Sequence, residues 1–166
     1  MEPQSLADQL QEGIYYLRSV IPNRKMGVGG MYATRDQFGE QIQTAALVPS
    51  TFEDLDWKIV RAGSDTFYIE NAREYPPGFQ LTGFHHKVLE DNAPVLLGRP
   101  GGFAIRPVGN DVAFGENVYI IRPHPSNGQI NMDVCVGVEQ GGIVIKTVPA
   151  DAPIETRPAW ALFPAA

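Results

Sequence analysis

The 166-residue sequence predicts an all-β protein, a β-trefoil built from three pseudo-repeats of four strands each. Two observations carry that prediction. An aromatic residue followed two positions later by an aliphatic one recurs six times in near-regular order, and side chains two apart on a strand share a face. In addition, 17 glycines and 14 prolines are scattered over the whole length, which leaves little room for long helices.

Taken in order, the chain opens on "SLADQLQ", its one hint of helix, where Ser5 could cap a short turn. "GIYYLR", with Tyr15 and Leu17, then reads as the opening strand of the first repeat. "MYAT" and "LVPS" are β-like by composition, and "DWKIV", with Trp57 and Ile59, closes that repeat. "DTFYIE" (Phe67, Ile69) opens the second, "APVLLG" lies inside it, and "GFAIRP" (Phe103, Ile105) closes it. The third runs from "NVYIIRP" (Tyr119, Ile121) through "INMDVCVGVE" and "GGIVIKTV" to "AWALF" (Trp160, Leu162), with "SNGQ" and "EQGG" as turns. The opening aromatics are spaced 52 and 52 residues apart and the closing ones 46 and 57. Between an opening and a closing strand there is room for two shorter strands. One such pair would mean little in a β protein; six in alternating order are hard to obtain by chance. All six aromatics are expected to be buried. In "DVCVGVE", Val134, Val136 and Val138 alternate with Asp133, Cys135, Gly137 and Glu139, which puts Cys135 on the opposite face, toward solvent.

This length fits one domain spanning 1–166, with a short N-terminal extension over 1–12. The net charge of −6 argues against nucleic acid or an anionic membrane as partner, and basic residues occur singly. No apolar run reaches the ~20 residues of a membrane span, and "MEPQSLADQLQEG" lacks the apolar core of a secretory signal. A cytoplasmic monomer is the expectation. The single cysteine forbids an internal disulfide.

Catalytic and metal-binding constellations are missing from the pattern. His85 and His86 are adjacent and point to opposite faces if extended, His124 sits between prolines, and there is no HxH or HExxH spacing. Cys135 has acidic neighbours in Asp133 and Glu139, which raise a thiol pKa and make a poor nucleophile. The carboxylates Glu53, Asp54 and Asp56 face no second cluster. "GVGGMY" puts Tyr32 where a dinucleotide fingerprint demands glycine and is followed by a strand, and no P-loop lysine accompanies it. Trp57 and Trp160 could stack on sugars, but the repeat already assigns them to the core and no Q-x-W signature occurs. No metal, no cofactor and no catalytic residue are expected. The protein reads as an inhibitor or binding module, not an enzyme.

Five stretches carry a family resemblance: "GVGGMYAT" (27–34), "LEDNAPVLLGRP" (89–100), "NVYIIRP" (117–123), "DVCVGVE" (133–139) and "RPAWALF" (157–163). Together they resemble the mycocypins, the clitocypin and macrocypin inhibitors of cysteine proteases from mushrooms, with clitocypin the nearer. The similarity runs in order from about Gly13 to Phe163. It implies a β-trefoil and reversible inhibition of papain-like proteases by two loops wedged into the active-site cleft. The first maps to Gly27, Val28, Gly29, Gly30 and Met31, the second to Pro49, Ser50, Thr51, Phe52 and Glu53. Glycine suits the first role: it has no Cβ to strike the cleft walls, and it tolerates conformations unlike an extended substrate.

Three features depart from the family. The segment before Gly13 is longer, Cys135 stands where clitocypin has an acidic residue, and "NAREYPPGFQLTG" lacks the tip asparagine through which the family is implied to block asparaginyl endopeptidase. Near that tip the chain offers Arg73, a candidate for the acidic primary pocket of a trypsin-like protease, though Glu74 and the Pro76–Pro77 pair also suit a solvated surface arginine. The alternatives to cysteine protease inhibition are a carbohydrate-binding trefoil, since the fold serves both, and inhibition of serine or aspartic proteases through another loop.

Overall fold

In each proposed repeat, the opening aromatic and the closing aromatic turn out to face each other across a strand pair. A computed structural model describes residues 10–20, 31–34, 40–46, 55–72, 82–108, 117–124, 131–153 and 156–165. These form twelve strands: β1 (Gly13–Val20), β2 (Met31–Thr34), β3 (Gln43–Ala46), β4 (Asp56–Arg61), β5 (Phe67–Asn71), β6 (Gly83–His85), β7 (Leu96–Gly98), β8 (Phe103–Pro107), β9 (Val118–Pro123), β10 (Met132–Glu139), β11 (Gly142–Pro149) and β12 (Ala159–Pro164).

The six strands that carry the aromatic–aliphatic pairs close on themselves. β1 pairs with β12, β12 with β9, β9 with β8, β8 with β5, β5 with β4, and β4 with β1, all antiparallel. Such a ring has no open edge to recruit another chain. Its register divides the two residue types cleanly. The aromatics pair within repeats, Tyr15 with Trp57, Phe67 with Phe103 and Tyr119 with Trp160. The aliphatics pair between repeats, Leu17 with Leu162, Ile59 with Ile69 and Ile105 with Ile121. All six aliphatics are buried in the main core, so the alternation along each strand has become alternation around the barrel.

The other six strands form three hairpins. β2–β3 joins the end of β1 at Arg18 and Tyr32, β6–β7 joins the end of β5 at Glu70 and Gly83, and β10–β11 packs beside β9. The hairpins meet one another through a cycle of backbone hydrogen bonds. Ile42 N–H donates to the Val95 carbonyl (2.9 Å), Val95 N–H to Ile143 (2.9 Å) and Ile143 N–H to Ile42 (2.8 Å). All three residues are buried, so these polar groups exchange water for one another and each repeat bonds to the next. The longest hairpin, β10–β11, turns through Gln140 (φ 52°) and Gly141 (φ 82°). Two consecutive positive φ values define the type I′ turn whose twist matches that of the strands it connects. Barrel and hairpins together make a β-trefoil.

Three details differ from the sequence expectation. Trp57, Phe103, Trp160 and Phe67 are buried, but Tyr15 and Tyr119 are only half-buried at the edge of the core. Their hydroxyls need a partner or water, and Tyr15 Oη donates to the Gln11 carbonyl at 2.8 Å. Cys135 does lie opposite the valines of β10, yet that face is covered instead of solvated. The thiol sits fully buried in a second apolar cluster with Val20, Val108, Val118, Ile120, Ala159 and Ala161. Leu10, within the expected extension, is 5% exposed and belongs to the main core. The strand expected at "LVPS" lies outside the described residues; the chain is already extended at Gln43–Ala46 just before it. Of the helix hint at "SLADQLQ" (5–11), residues 5–9 lie outside them as well.

Candidate functional site

Of the residues singled out from sequence, Met31 is described: it begins β2 and is 44% exposed. Gly27, Val28, Gly29, Gly30, Pro49, Ser50, Thr51, Phe52, Glu53 and Arg73 lie outside the described residues. What the structure fixes is where their segments begin and end.

Segment 21–30 leaves β1 at Val20 and enters β2 at Met31; segment 47–54 leaves β3 at Ala46 and returns to the chain at Leu55, ahead of β4. Met31 and Ala46 are register partners, so the end of the first segment adjoins the start of the second. Tyr16 pairs with Asp56 and Arg18 with Tyr32, which brings the other two ends to the same rim of the barrel. The bases are held firmly. Val20, Tyr32, Ala33, Leu55 and Trp57 are all buried. The Trp57 indole Nε1–H donates to the Ala33 carbonyl at 3.0 Å, tying β4 directly to β2. Tyr16 on β1 meets Tyr32 on β2 edge to face, ring centroids 6.4 Å apart. The Trp57–Ala33 bond is not legible in the sequence, although the repeat picks out Trp57 itself.

Segment 73–81 emerges nearby, because Asn71 at the end of β5 pairs with Trp57 near the start of β4. Its neck is closed by Asn71 N–H donating to the Thr82 carbonyl at 2.8 Å and by Asn71 Nδ2 reaching Thr82 Oγ1 at 3.4 Å. Asn71 is 6% exposed and Thr82 is buried as well. Gly83 allows the close approach, since a Cβ there would collide with the Ile69 carbonyl. Burial pushes the Glu70 carboxyl above its ordinary value, against the downward pull of Lys58.

Elsewhere His85 and His86 bond to backbone carbonyls. His85 Nδ1 is 2.8 Å from the Arg99 carbonyl and His86 Nε2 is 3.1 Å from that of Gly102, so each of these nitrogens carries a proton and donates. His86 is half-buried edge-on to Phe103, centroids 5.0 Å apart. Among the described residues no group of three His, Cys, Asp or Glu side chains is placed to hold a metal ion. Burial is the main force pushing the Cys135 thiol up from its usual range, opposed by Arg157 and Arg122 and reinforced by Asp133. Desolvation, more than the acidic neighbours read from sequence, makes this thiol unreactive.

The trefoil thus gathers the ends of three segments at one rim, and similarity to known proteins specifies its class. The family described as "Peptidase inhibitor clitocypin" matches residues 13–162. Clitocypin-2 from Clitocybe nebularis is 35% identical over 152 residues, covering 91% of this chain and 95% of its own. Clitocypin from the same fungus is 34% identical over 152 residues, covering 91% and 96%. The protein therefore belongs to the clitocypin family of peptidase inhibitors, a non-enzymatic class whose partner is a protease. Among solved structures, the designed three-fold symmetric protein ThreeFoil superposes with a TM-score of 0.57, at 12% identity over 90% of this chain and 97% of that one, a likeness of fold alone.

Proposed function

We propose that the protein is a reversible inhibitor of papain-like cysteine proteases, which it blocks by seating Gly27–Met31, with Pro49–Glu53 beside it, in the active-site cleft. The supporting observation is the common rim: Met31 pairs with Ala46, and the Trp57–Ala33 hydrogen bond locks the bases of both segments together. Two segments anchored on one rigid base approach a groove as a single wedge. Less freedom is then lost on binding than with two independent loops. Family membership supplies the protease as partner, and the glycines supply the means of close approach.

A papain-type cleft has its nucleophilic thiolate at the bottom. A blocker must bring main chain close to it without presenting a scissile peptide in attack geometry. Glycine at 29 and 30 permits backbone conformations that turn the peptide away from substrate-like extension, and its lack of a side chain leaves the cleft walls unopposed. Val28 and the exposed Met31 side chain contribute apolar contact at the flanks. No covalent bond is involved.

Titration against papain provides the test. The double variant Gly29→Arg/Gly30→Arg should weaken inhibition by ~3 kcal/mol or more, over a hundredfold in Ki, with the melting temperature unchanged. Papain whose thiol has been alkylated with a small reagent should still bind the wild-type protein. Equal inhibition by variant and wild type would remove the first segment from the interface, and a wild type that binds glycans while leaving papain active would overturn the reading as a whole.

A further inference from the structure

We propose that a cationic groove between β8 and β9 is a binding site for a tetrahedral oxyanion of the phosphate type. The groove has a volume of about 160 Å³ and is lined by Ala104, Arg106, Arg122, Pro123 and His124. Ala104 and Arg122 are register partners and Arg106 follows two positions on. Phe103 and Ile105 point into the core, so Ala104 and Arg106 share the outward face of β8. Ala104, opposite Arg122 and two positions before Arg106, thus presents only a methyl to a groove that both arginines and His124 line.

Among the described residues the local charge is in excess. Asp133 is the carboxylate bonded to Arg122, at 3.0 Å, but its second oxygen accepts from Arg157 at 2.7 Å, so one negative charge is divided between two positive ones. Arg122 uses one NH2 group in that bond, whereas a guanidinium carries five N–H donors. Arg106 meets Asp65 only at 4.0 Å, with side chains 67% and 70% exposed, a geometry that contributes little and leaves Arg106 able to turn into the groove. In a chain of net charge −6 this is a distinct positive spot.

The pseudo-threefold repeat supplies an internal control. Between β4 and β5 the corresponding partners are Lys58 and Glu70, a cross-strand pair of opposite charge, and Val60 stands in the place of Arg106. Between β12 and β1 they are Ala161 and Arg18, with Phe163 in that place. Two arginines flanking an alanine are therefore peculiar to the β8–β9 seam, and the fold does not demand them. Paired guanidiniums favour oxyanions that accept several N–H donors at once.

The probe is inorganic phosphate, followed by two-dimensional NMR of the full chain through the arginine Nε–H signals, with glucose 6-phosphate as a second ligand. Saturable shifts at Arg106 and Arg122 below roughly 10 mM are expected. Arg106→Gln should weaken them at least about tenfold, and Ala104→Glu, which plants a carboxylate in the groove in imitation of the Lys58–Glu70 seam, should abolish them. Tighter binding of glucose 6-phosphate than of phosphate would identify a monoester as the ligand; the reverse order would identify the free ion. Shifts that do not saturate, or that persist unchanged in both variants, would overturn the proposal. Papain inhibition reports separately and should be the same in Arg106→Gln as in wild type.

Discussion

Asn71 shows how much one side chain's surroundings decide. An asparaginyl endopeptidase must take an asparagine side chain into its pocket, and the one asparagine beside segment 73–81 is buried and bonded through both backbone and side chain to Thr82. Releasing it would break the neck of that segment. The wild-type protein should leave a purified asparaginyl endopeptidase fully active at micromolar concentrations; submicromolar inhibition would show that another presentation exists. His86 allows a prediction about pH. Burial, aided by His85 and opposed by the Gly102 carbonyl, lowers its pKa below the unfolded value of 6.5. The unfolded chain then binds more protons than the folded one between the two values. The contribution to stability is complete above pH 6.5 and declines as the pH falls through the lowered pKa. Melting temperatures measured from about pH 7.5 to pH 5 should fall more steeply for wild type than for His86→Gln, and parallel curves would refute the assignment. At this scale the sequence was only partly legible. Phe67 is buried while the equivalent Tyr15 and Tyr119 stop at the core edge, a difference that one hydroxyl makes. Alternation along β10 puts Cys135 opposite the valines, where it lies, but says nothing of what covers that face.

Among the elements, the link between β2 and β4 bears most on function. Trp57→Phe removes the donor to Ala33, leaves a buried carbonyl unsatisfied and shrinks a fully buried ring, at an expected cost of about 2–4 kcal/mol. Trp160→Phe is its counterpart, since Trp160 Nε1–H donates to the Val136 carbonyl at 2.9 Å and ties β12 to β10. The two variants should melt at similar temperatures. Papain inhibition should nonetheless fall more in Trp57→Phe, because that bond, unlike the one from Trp160, joins the bases of segments 21–30 and 47–54. Equal loss in both would mean that general stability, not the spacing of the segments, governs inhibition. The six barrel strands are easy to anticipate: each opens or closes a repeat and carries an aromatic. β3, "QTAA", has little β character of its own, and it is extended because Ile42 next to it takes part in the hydrogen-bond cycle among the hairpins. Tertiary pairing of that kind leaves no trace in local composition.

At the scale of the whole molecule, the spacing of six aromatics was enough to indicate three repeats, because a barrel that closes by symmetry must return the same residue types to the same positions. The division of labour between aromatic pairs inside a repeat and aliphatic pairs between repeats could not be read in advance, since it depends on register. Register also governs how the ring is sealed. The first and last described strands run side by side, Tyr15 opposite Pro164 through Val20 opposite Ala159, and Ala165 N–H adds a further bond to the Ile14 carbonyl at 2.8 Å. The order in which the chain visits the ring is therefore not essential to the ring itself. A circular permutant that joins Ala165 to Leu10 through a short glycine–serine bridge and opens the exposed turn between Gly63 and Ser64 would keep every strand pair, with the five-residue ladder from Trp57–Asn71 to Arg61–Phe67 as its new seam. Its circular dichroism and its papain inhibition should match those of the parent. An unfolded permutant would mean that the β4–β5 turn, not the closed ring, holds the barrel together.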